Sequence, residues 1–291
     1  MIYRVQHITT YKYHETVPLC HNLAMLTPRE TRNQYCKSFN LDVIPYPEII
    51  EEYHDFFGNK VIYFIIEEEH EKLVVTSTST IEIKPVDLNS RAISMMSWEQ
   101  TRDQFIQSQG ELSEEKQFVI PSDITAPSEL IRQYASISFI PGRPIYEAIS
   151  DLMSRIHKEF KYSSGFTTIS TPLSAVLKER KGVCQDFAHL AIACVQSMGL
   201  AARYVSGYLE TVAPAGKEKL TGADASHAWF SVFIPDMGWV DFDPTNNKIP
   251  DEQYITIGWG RNYFDIIPLR GVIMSTNPHQ LNISVDVTRL S

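Results

Sequence analysis

Gly182-Val183-Cys184-Gln185-Asp186-Phe187-Ala188-His189 is the stretch from which the rest of the chain is read. Gly182 punctuates the chain, and from Cys184 an apolar run continues to Met198, where Gly199 stops it, so Cys184 opens a helix. The first N–H groups of a helix have no intrahelical partner and sit at the positive end of its dipole, so a thiolate is stabilised there. Helix N-termini are among the settings that lower a cysteine's pKa from its free value near 8.5. The same N–H groups suit the oxyanion of a tetrahedral intermediate. The competing reading of Cys184 is a small residue buried at a close helix contact.

A thiolate nucleophile needs a base, and the base needs a group that orients it. Ser226-His227-Ala228-Trp229 offers the base and Asp241-Phe242-Asp243-Pro244-Thr245 the carboxylate. Between them, Pro235-Asp236-Met237-Gly238 signals a turn joining two apolar strands, Ala228–Ile234 and Trp239–Asp243. An odd-length loop centred on Pro235 places His227 directly opposite Asp243, on one face and within hydrogen-bonding reach. A four-residue loop puts them on opposite faces. Asp241 shares the parity of Asp243 and is the rival carboxylate, but Pro244 ends the ladder and presents Asp243 at a strand end. Trp229, on the same face as His227, either shields the imidazole from water or is a core residue.

Outward from these motifs, the second half is α+β. Ile145, Ile149, Leu152, Ile156 and Phe160 keep helical spacing behind Pro144, and Thr171-Pro172 starts a short helix that Gly182 ends. Ala202–Tyr208 adds a strand. The first half has the period of strands, at Ile2–Ile8, Phe39–Ile44, Val61–Glu67 and Leu73–Ile83, with turns at 57–60 and 67–72, and suggests a β-sandwich or open barrel. The expected division is a β-rich domain over 1–84, a connecting region over 85–125 with a helix near Trp98–Gln107, and a catalytic domain over 126–291.

Of 291 residues, 26 are Lys or Arg and 35 Asp or Glu, a net charge of −9 that disfavours a nucleic-acid partner. Hydrophobic residues at 43% and charged residues at 21% exclude wholesale disorder. No run of apolar residues is long enough to span a bilayer, and the N-terminus alternates like a strand instead of carrying a secretory core. Cys20, Cys36, Cys184 and Cys194 form no C-x-x-C pair, so the expectation is a cytoplasmic protein with reduced thiols. His7, His14 and His21 recur at an odd spacing that alternates strand faces, so no metal site is expected there. His189 and Cys194 read as packed residues on the helix that Cys184 opens.

Gly-Val-Cys-Gln-Asp-Phe-Ala-His at 182–189, Ala-Arg-Tyr-Val-Ser-Gly-Tyr at 202–208, Ser-His-Ala-Trp at 226–229 and Asp-Pro-Thr at 243–245 together resemble the bacterial transglutaminase-like superfamily. Tyr3–His7, Thr27-Pro28-Arg29 and Phe57-Gly58-Asn59 resemble the N-terminal domain that accompanies it. The resemblance implies a papain-like α+β core, helices packed on an antiparallel sheet, behind a β-sandwich-like domain. It also implies a Cys184-His227-Asp243 triad working through an acyl-enzyme, with a peptide or amide substrate and no cofactor. Gln185, Tyr208 and Trp229 are the candidate substrate-binding residues; helix-end or surface duty for Gln185, and core packing for the two aromatics, are the alternatives. Bacterial members are described as cysteine-protease candidates, so peptidase or amidase chemistry ranks ahead of amine transfer by a transglutaminase. A non-catalytic peptide-binding module on the same fold is the reading from another class. No oligomeric state is assigned.

Overall fold

The computed structural model describes residues 1–85, 94–108, 112–168, 171–211, 226–274 and 278–290. Six strands come first: β1 (Ile2–Val17), β2 (Cys20–Ala24), β3 (Gln34–Ile44), β4 (Ile49–His54), β5 (Lys60–Ile66) and β6 (His70–Ile83). Alternation makes them. Tyr3, Val5, His7 and Thr9 of β1 are buried between partly or fully exposed neighbours, and Leu73, Val75, Ser77, Ser79, Ile81 and Ile83 repeat the pattern in β6. β4 is exposed at every position and is held only along β5, so no hydrophobic period announces it.

Helices follow: α1 (Trp98–Gln107), α2 (Ser113–Lys116), α3 (Glu129–Ser136) and α4 (Ile145–Glu159). After the two-residue β7 (Lys161–Tyr162) come α5 (Leu173–Glu179), the equally short β8 (Lys181–Gly182) and α6 (Cys184–Ser197). The chain ends in β9 (Ala202–Leu209), β10 (Ser226–Ile234), β11 (Gly238–Phe242), β12 (Tyr254–Gly260), β13 (Leu269–Ile273) and β14 (His279–Arg289). α1 occupies the position expected inside the connecting region, closed at its start by a Ser97–Gln100 capping box. α5 ends differently from expectation. Arg180, at φ 52°, makes the left-handed turn, and Gly182 belongs to β8.

Two four-stranded antiparallel sheets, ordered β14-β1-β6-β3 and β13-β2-β5-β4, face each other across a core that includes Leu26, Ile62, Phe64, Leu73 and Val75. This is the N-terminal β-sandwich. A third sheet, β11-β10-β9-β12, lays one face on α6. Every residue of α6 from Asp186 to Gln196 is buried, because α3, α4 and α5 close the sides that the sheet leaves open. The fold is therefore mixed α+β.

A division at residue 126 does not separate the two bodies in space. β13 pairs with β2, and β14 runs antiparallel to β1 from Arg289 opposite Tyr3 to His279 opposite Tyr13. The last strands return to the sandwich because β1 and β2 otherwise leave open edges, and pairing satisfies their backbone groups.

Two polar clasps join the bodies. Asn59, 1% exposed, donates from Nδ2 to the Trp259 carbonyl at 2.8 Å, while its Oδ1 accepts from the Trp259 N–H at 3.0 Å and from Arg29 Nη1 at 2.7 Å. Gln34 repeats the reciprocal pattern with Thr256: Nε2 donates to its carbonyl at 2.7 Å and Oε1 accepts from its N–H at 2.8 Å. Replacing Asn59 by Ala strands buried donors and acceptors, so Asn59→Ala is expected to cost about 2–4 kcal/mol. Urea unfolding measures this. A loss below about 0.5 kcal/mol, the ordinary range of a surface substitution, would remove the clasp from the account of stability.

Candidate active site

Cys184 is the first residue of α6 and is partly exposed. The turn before it is fixed by Asp186, whose Oδ2 accepts from the Val183 N–H at 2.8 Å and from Thr167 Oγ1 at 2.6 Å. Asp186 thus caps the helix. A Cβ on Gly182 would lie 2.9 Å from both Cβ and Oδ2 of Asp186, so only glycine lets that carboxylate fold back.

β10 and β11 bring the histidine and the carboxylates together. Ile234 pairs with Gly238 and Phe230 with Phe242, so the loop has three residues, 235–237, and is centred on Asp236. The odd length expected of the loop is present, but its centre lies one position beyond Pro235. In this register position 243 falls across from Trp229, so Asp243 is diagonal to His227 on the same face. The side chains bridge the offset: His227 Nε2 donates to Asp243 Oδ2 at 2.7 Å. Asp241 pairs with Ser231, farther from the strand end, and lines a separate cavity on the outer sheet face.

Asp243 has no exposed surface, and its carboxylate is saturated. Oδ1 accepts from the N–H groups of Thr245 (2.8 Å) and Asn246 (3.3 Å). Oδ2 accepts from His227, from Asn246 Nδ2 at 2.7 Å and from the Tyr254 hydroxyl at 2.7 Å. Burial pushes this carboxyl up, but the hydrogen bonds and charge of His227, with Asn246 and Tyr254, outweigh it and hold its pKa below the usual value. For His227 burial acts downward, while Asp243 and the neighbouring Cys184 raise its pKa to about 10. With Nε2 committed to Asp243, Nδ1 is the nitrogen left for Cys184.

Cys184 and His227 open into a cavity of about 180 Å³. Gln185 lines it beside the sulfur, as do Tyr204 and Tyr263. The opposite wall comes from the sandwich, with His7, Thr9 and Tyr11 of β1 and Leu281 and Ile283 of β14. No Asp, Glu, Lys or Arg is among the lining residues, and burial lowers the pKa of His7 to about 4, so at neutral pH that wall carries no charge.

Two of the expected substrate-binding residues lie elsewhere. Tyr208, 2% exposed, hydrogen-bonds through its hydroxyl to His7 Nδ1 at 2.8 Å and packs in the core between the sandwich and the third sheet. Trp229 is fully buried, with its ring 6.1 Å from that of His227 and 5.4 Å from that of Tyr254. It supports the imidazole from behind and is not among the residues lining the cavity of Cys184. Their strands are covered on both faces, and a single strand's pattern does not reveal the second cover. His189 and Cys194 are packed: His189 Nε2 accepts from the Tyr263 N–H at 3.1 Å and burial lowers its pKa to about 3, while Cys194 is wholly enclosed. Asn246 and Tyr254 were not anticipated. Asn246 has a local signal in Asp-Pro-Thr-Asn, where Asp243 turns back onto the next N–H groups; Tyr254 arrives from β12 and has none.

Comparison with known proteins places the chain. Residues 3–82 match the bacterial transglutaminase-like N-terminal region and residues 140–244 the transglutaminase-like superfamily. An uncharacterized protein of Mycobacterium tuberculosis is 42% identical across 98% of this chain and 92% of its own length. The chain belongs to the bacterial transglutaminase-like superfamily, with its N-terminal companion region. A solved structure named as a cysteine-protease candidate, from Cytophaga hutchinsonii, shares the fold with a TM-score of 0.77 at 22% identity, covering 100% of this chain and 91% of that one. Protein-glutamine gamma-glutamyltransferase of Pseudomonas aeruginosa is 33% identical over a segment covering 38% of this chain and 19% of its own.

The ionic pair carries a pH signature. A histidine raised on folding contributes stability fully below its ordinary value of 6.5 and loses it as pH climbs through about 10. A carboxylate depressed on folding contributes above its ordinary 3.8 and loses stability as pH falls. The stability gap between wild type and His227→Gln should therefore be widest from about pH 4 to 6.5 and narrow toward pH 10. Chemical denaturation across that range measures it, and a gap that stays constant would show that the pair is not linked to protonation.

Proposed function

We propose that the protein is a thiol-dependent acyl-transfer enzyme of the cysteine peptidase or amidase type, with Cys184, His227 and Asp243 as its triad. The observation that carries this reading is an imidazole held at 2.7 Å by a buried carboxylate on Nε2, lining one cavity with a helix-opening cysteine. His227, whose pKa is raised to about 10, holds the proton of the pair, and Sγ bonds as a thiolate to the carbonyl carbon of a peptide or amide. The backbone N–H groups at the start of α6 receive the developing oxyanion. The C–N bond then breaks, His227 returns the proton to the leaving amine, and a thioester remains on Cys184. Water, deprotonated by His227, resolves it. Asp243 fixes the ring orientation and stabilises its charged form without itself taking the proton.

The sandwich wall of the 180 Å³ cavity carries no charge and suits a neutral acyl group, so the bond cleaved is flanked on that side by an uncharged side chain. The four cysteines are free thiols, in keeping with a reducing cytoplasmic setting as part of the same proposal. Among the described residues, no helix is long and apolar enough to cross a membrane.

A screen of peptide, isopeptide and γ-glutamyl amide substrates, with and without a primary amine and read by mass spectrometry, tests the reaction. Hydrolysis products are expected to dominate; amine adducts in their place would assign the transglutaminase outcome that the same triad supports. Cys184→Ala and His227→Ala should each lower kcat/KM by about a thousandfold or more, and Tyr254→Phe, which removes one of Asp243's donors, by about tenfold. Iodoacetamide should modify Cys184 faster in wild type than in His227→Ala, and equal rates would remove the activated nucleophile.

A further inference from the structure

A second cavity, larger at about 880 Å³, lies against the sheet face turned away from α6. Cys184 is not part of it. One side is the sandwich, through Arg29, Gln34 and Phe57; the other is the sheet, through Arg203, Trp239 and Trp259. Arg203 is 8% exposed. Its guanidinium carbon lies 4.1 Å from the ring centroid of Trp239 and 3.8 Å from that of Trp259. Arg29 lies over the same Trp259 ring at 3.5 Å, and two guanidinium carbons so near one centroid must occupy opposite faces. The cations and rings therefore alternate, as Arg29, Trp259, Arg203 and Trp239.

The N-terminal motifs build this stack. Asn59 accepts from Arg29 Nη1, and a Cβ on Gly58, whose φ is +74°, would lie 2.9 Å from Arg29 Nη2. Thr27-Pro28-Arg29 and Phe57-Gly58-Asn59 are thus the two halves of a device that holds Arg29 on Trp259.

The stack is short of negative charge. The buried Nε of Arg203 has no hydrogen-bond partner among the described residues, and neither arginine forms an ion pair with a described carboxylate. Asp241 and Glu115 act on Arg203 through space, and Asp55 on Arg29, without reaching salt-bridge distance. Stacking on an indole compensates a buried cation by less than its burial costs. In keeping with this, burial lowers the pKa of Arg203 to about 9 and of Arg29 to about 10. Trp229, whose Nε1 donor also lacks a partner, lines the same cavity.

We propose that this cavity binds a small organic molecule bearing one oxyanion, with Arg203 as the principal anchor and Trp239 and Trp259 flanking the organic body. The planar guanidinium fork pairs with a carboxylate or a phosphoryl group through parallel hydrogen bonds. Asp241, Glu114, Glu115 and Asp251 line the same space and set the charge limit, favouring a single negative charge over a polyanion. The site is separate from the triad, so its test stands or falls independently of the acyl-transfer reading.

Titration of the full chain with benzoate, inorganic phosphate and benzamide, followed by calorimetry and by the NMR signal of the Arg203 Nε–H, tests the proposal. Saturable binding of an anion with a shift of that signal is expected, and none for benzamide, which has the shape of benzoate without its charge. Binding of benzoate assigns a carboxylate, and binding of phosphate alone a phosphoryl group. Arg203→Gln should weaken binding by about tenfold or more. Asp241→Asn, which removes a competing charge while keeping the arginine, should tighten it, and this arm holds even if Arg203→Gln does not fold. Cys184→Ser should bind as wild type does. No saturable response to either anion, equal responses to benzoate and benzamide, or undiminished binding by a folded Arg203→Gln would each overturn the site.

Discussion

A buried carboxylate is expensive unless every lone pair facing the protein is used, and Asp243 meets that condition with five hydrogen bonds. Three of the donors belong to its own turn, one to β12 and one to His227. Because Asp243 closes the end of β11, this network ties the edge of the sheet, the turn beyond it and the neighbouring strands into one arrangement. The imidazole inherits that rigidity. With Nε2 held by Asp243 and its ring backed by Trp229 and Tyr254, His227 has one nitrogen free to meet Cys184.

The cysteine is positioned by a different economy. α6 is buried along its length, so its place is set by packing on three sides, and only its N-terminus reaches a cavity. There the Asp186 cap and the bare Cα of Gly182 define how the chain enters the helix. The sandwich contributes more than support. β1 and β14 form the wall facing the sulfur, and the Arg29–Asn59 turn region clasps β12 on the other side of the sheet. The N-terminal region is thus built into both of these cavities.

Much of this was legible from local pattern. The helix opened by Cys184, the strands flanking residues 235–238 and the alternation of β1 and β6 all follow from apolar spacing and turn chemistry, because those elements bury one face or are enclosed throughout. β4 escaped because an exposed edge strand has no period to read. The shift of the hairpin centre by one residue escaped because turn propensity marks a loop without fixing its register; the ladder pairing decides that.

What the sequence alone determined is the set of candidate site residues, Cys184, His227 and Asp243, and the parity that puts His227 and Asp243 on one sheet face. Those depend on periods of two and 3.6, which a chain carries locally. Tertiary structure decided the rest: Tyr254 as a partner of Asp243, the burial of Tyr208 and Trp229, the return of β13 and β14 to the sandwich, and the stack of Arg29, Trp259, Arg203 and Trp239. Each joins residues far apart in the chain, brought together by whole faces packing against one another, and no local spacing encodes which face meets which.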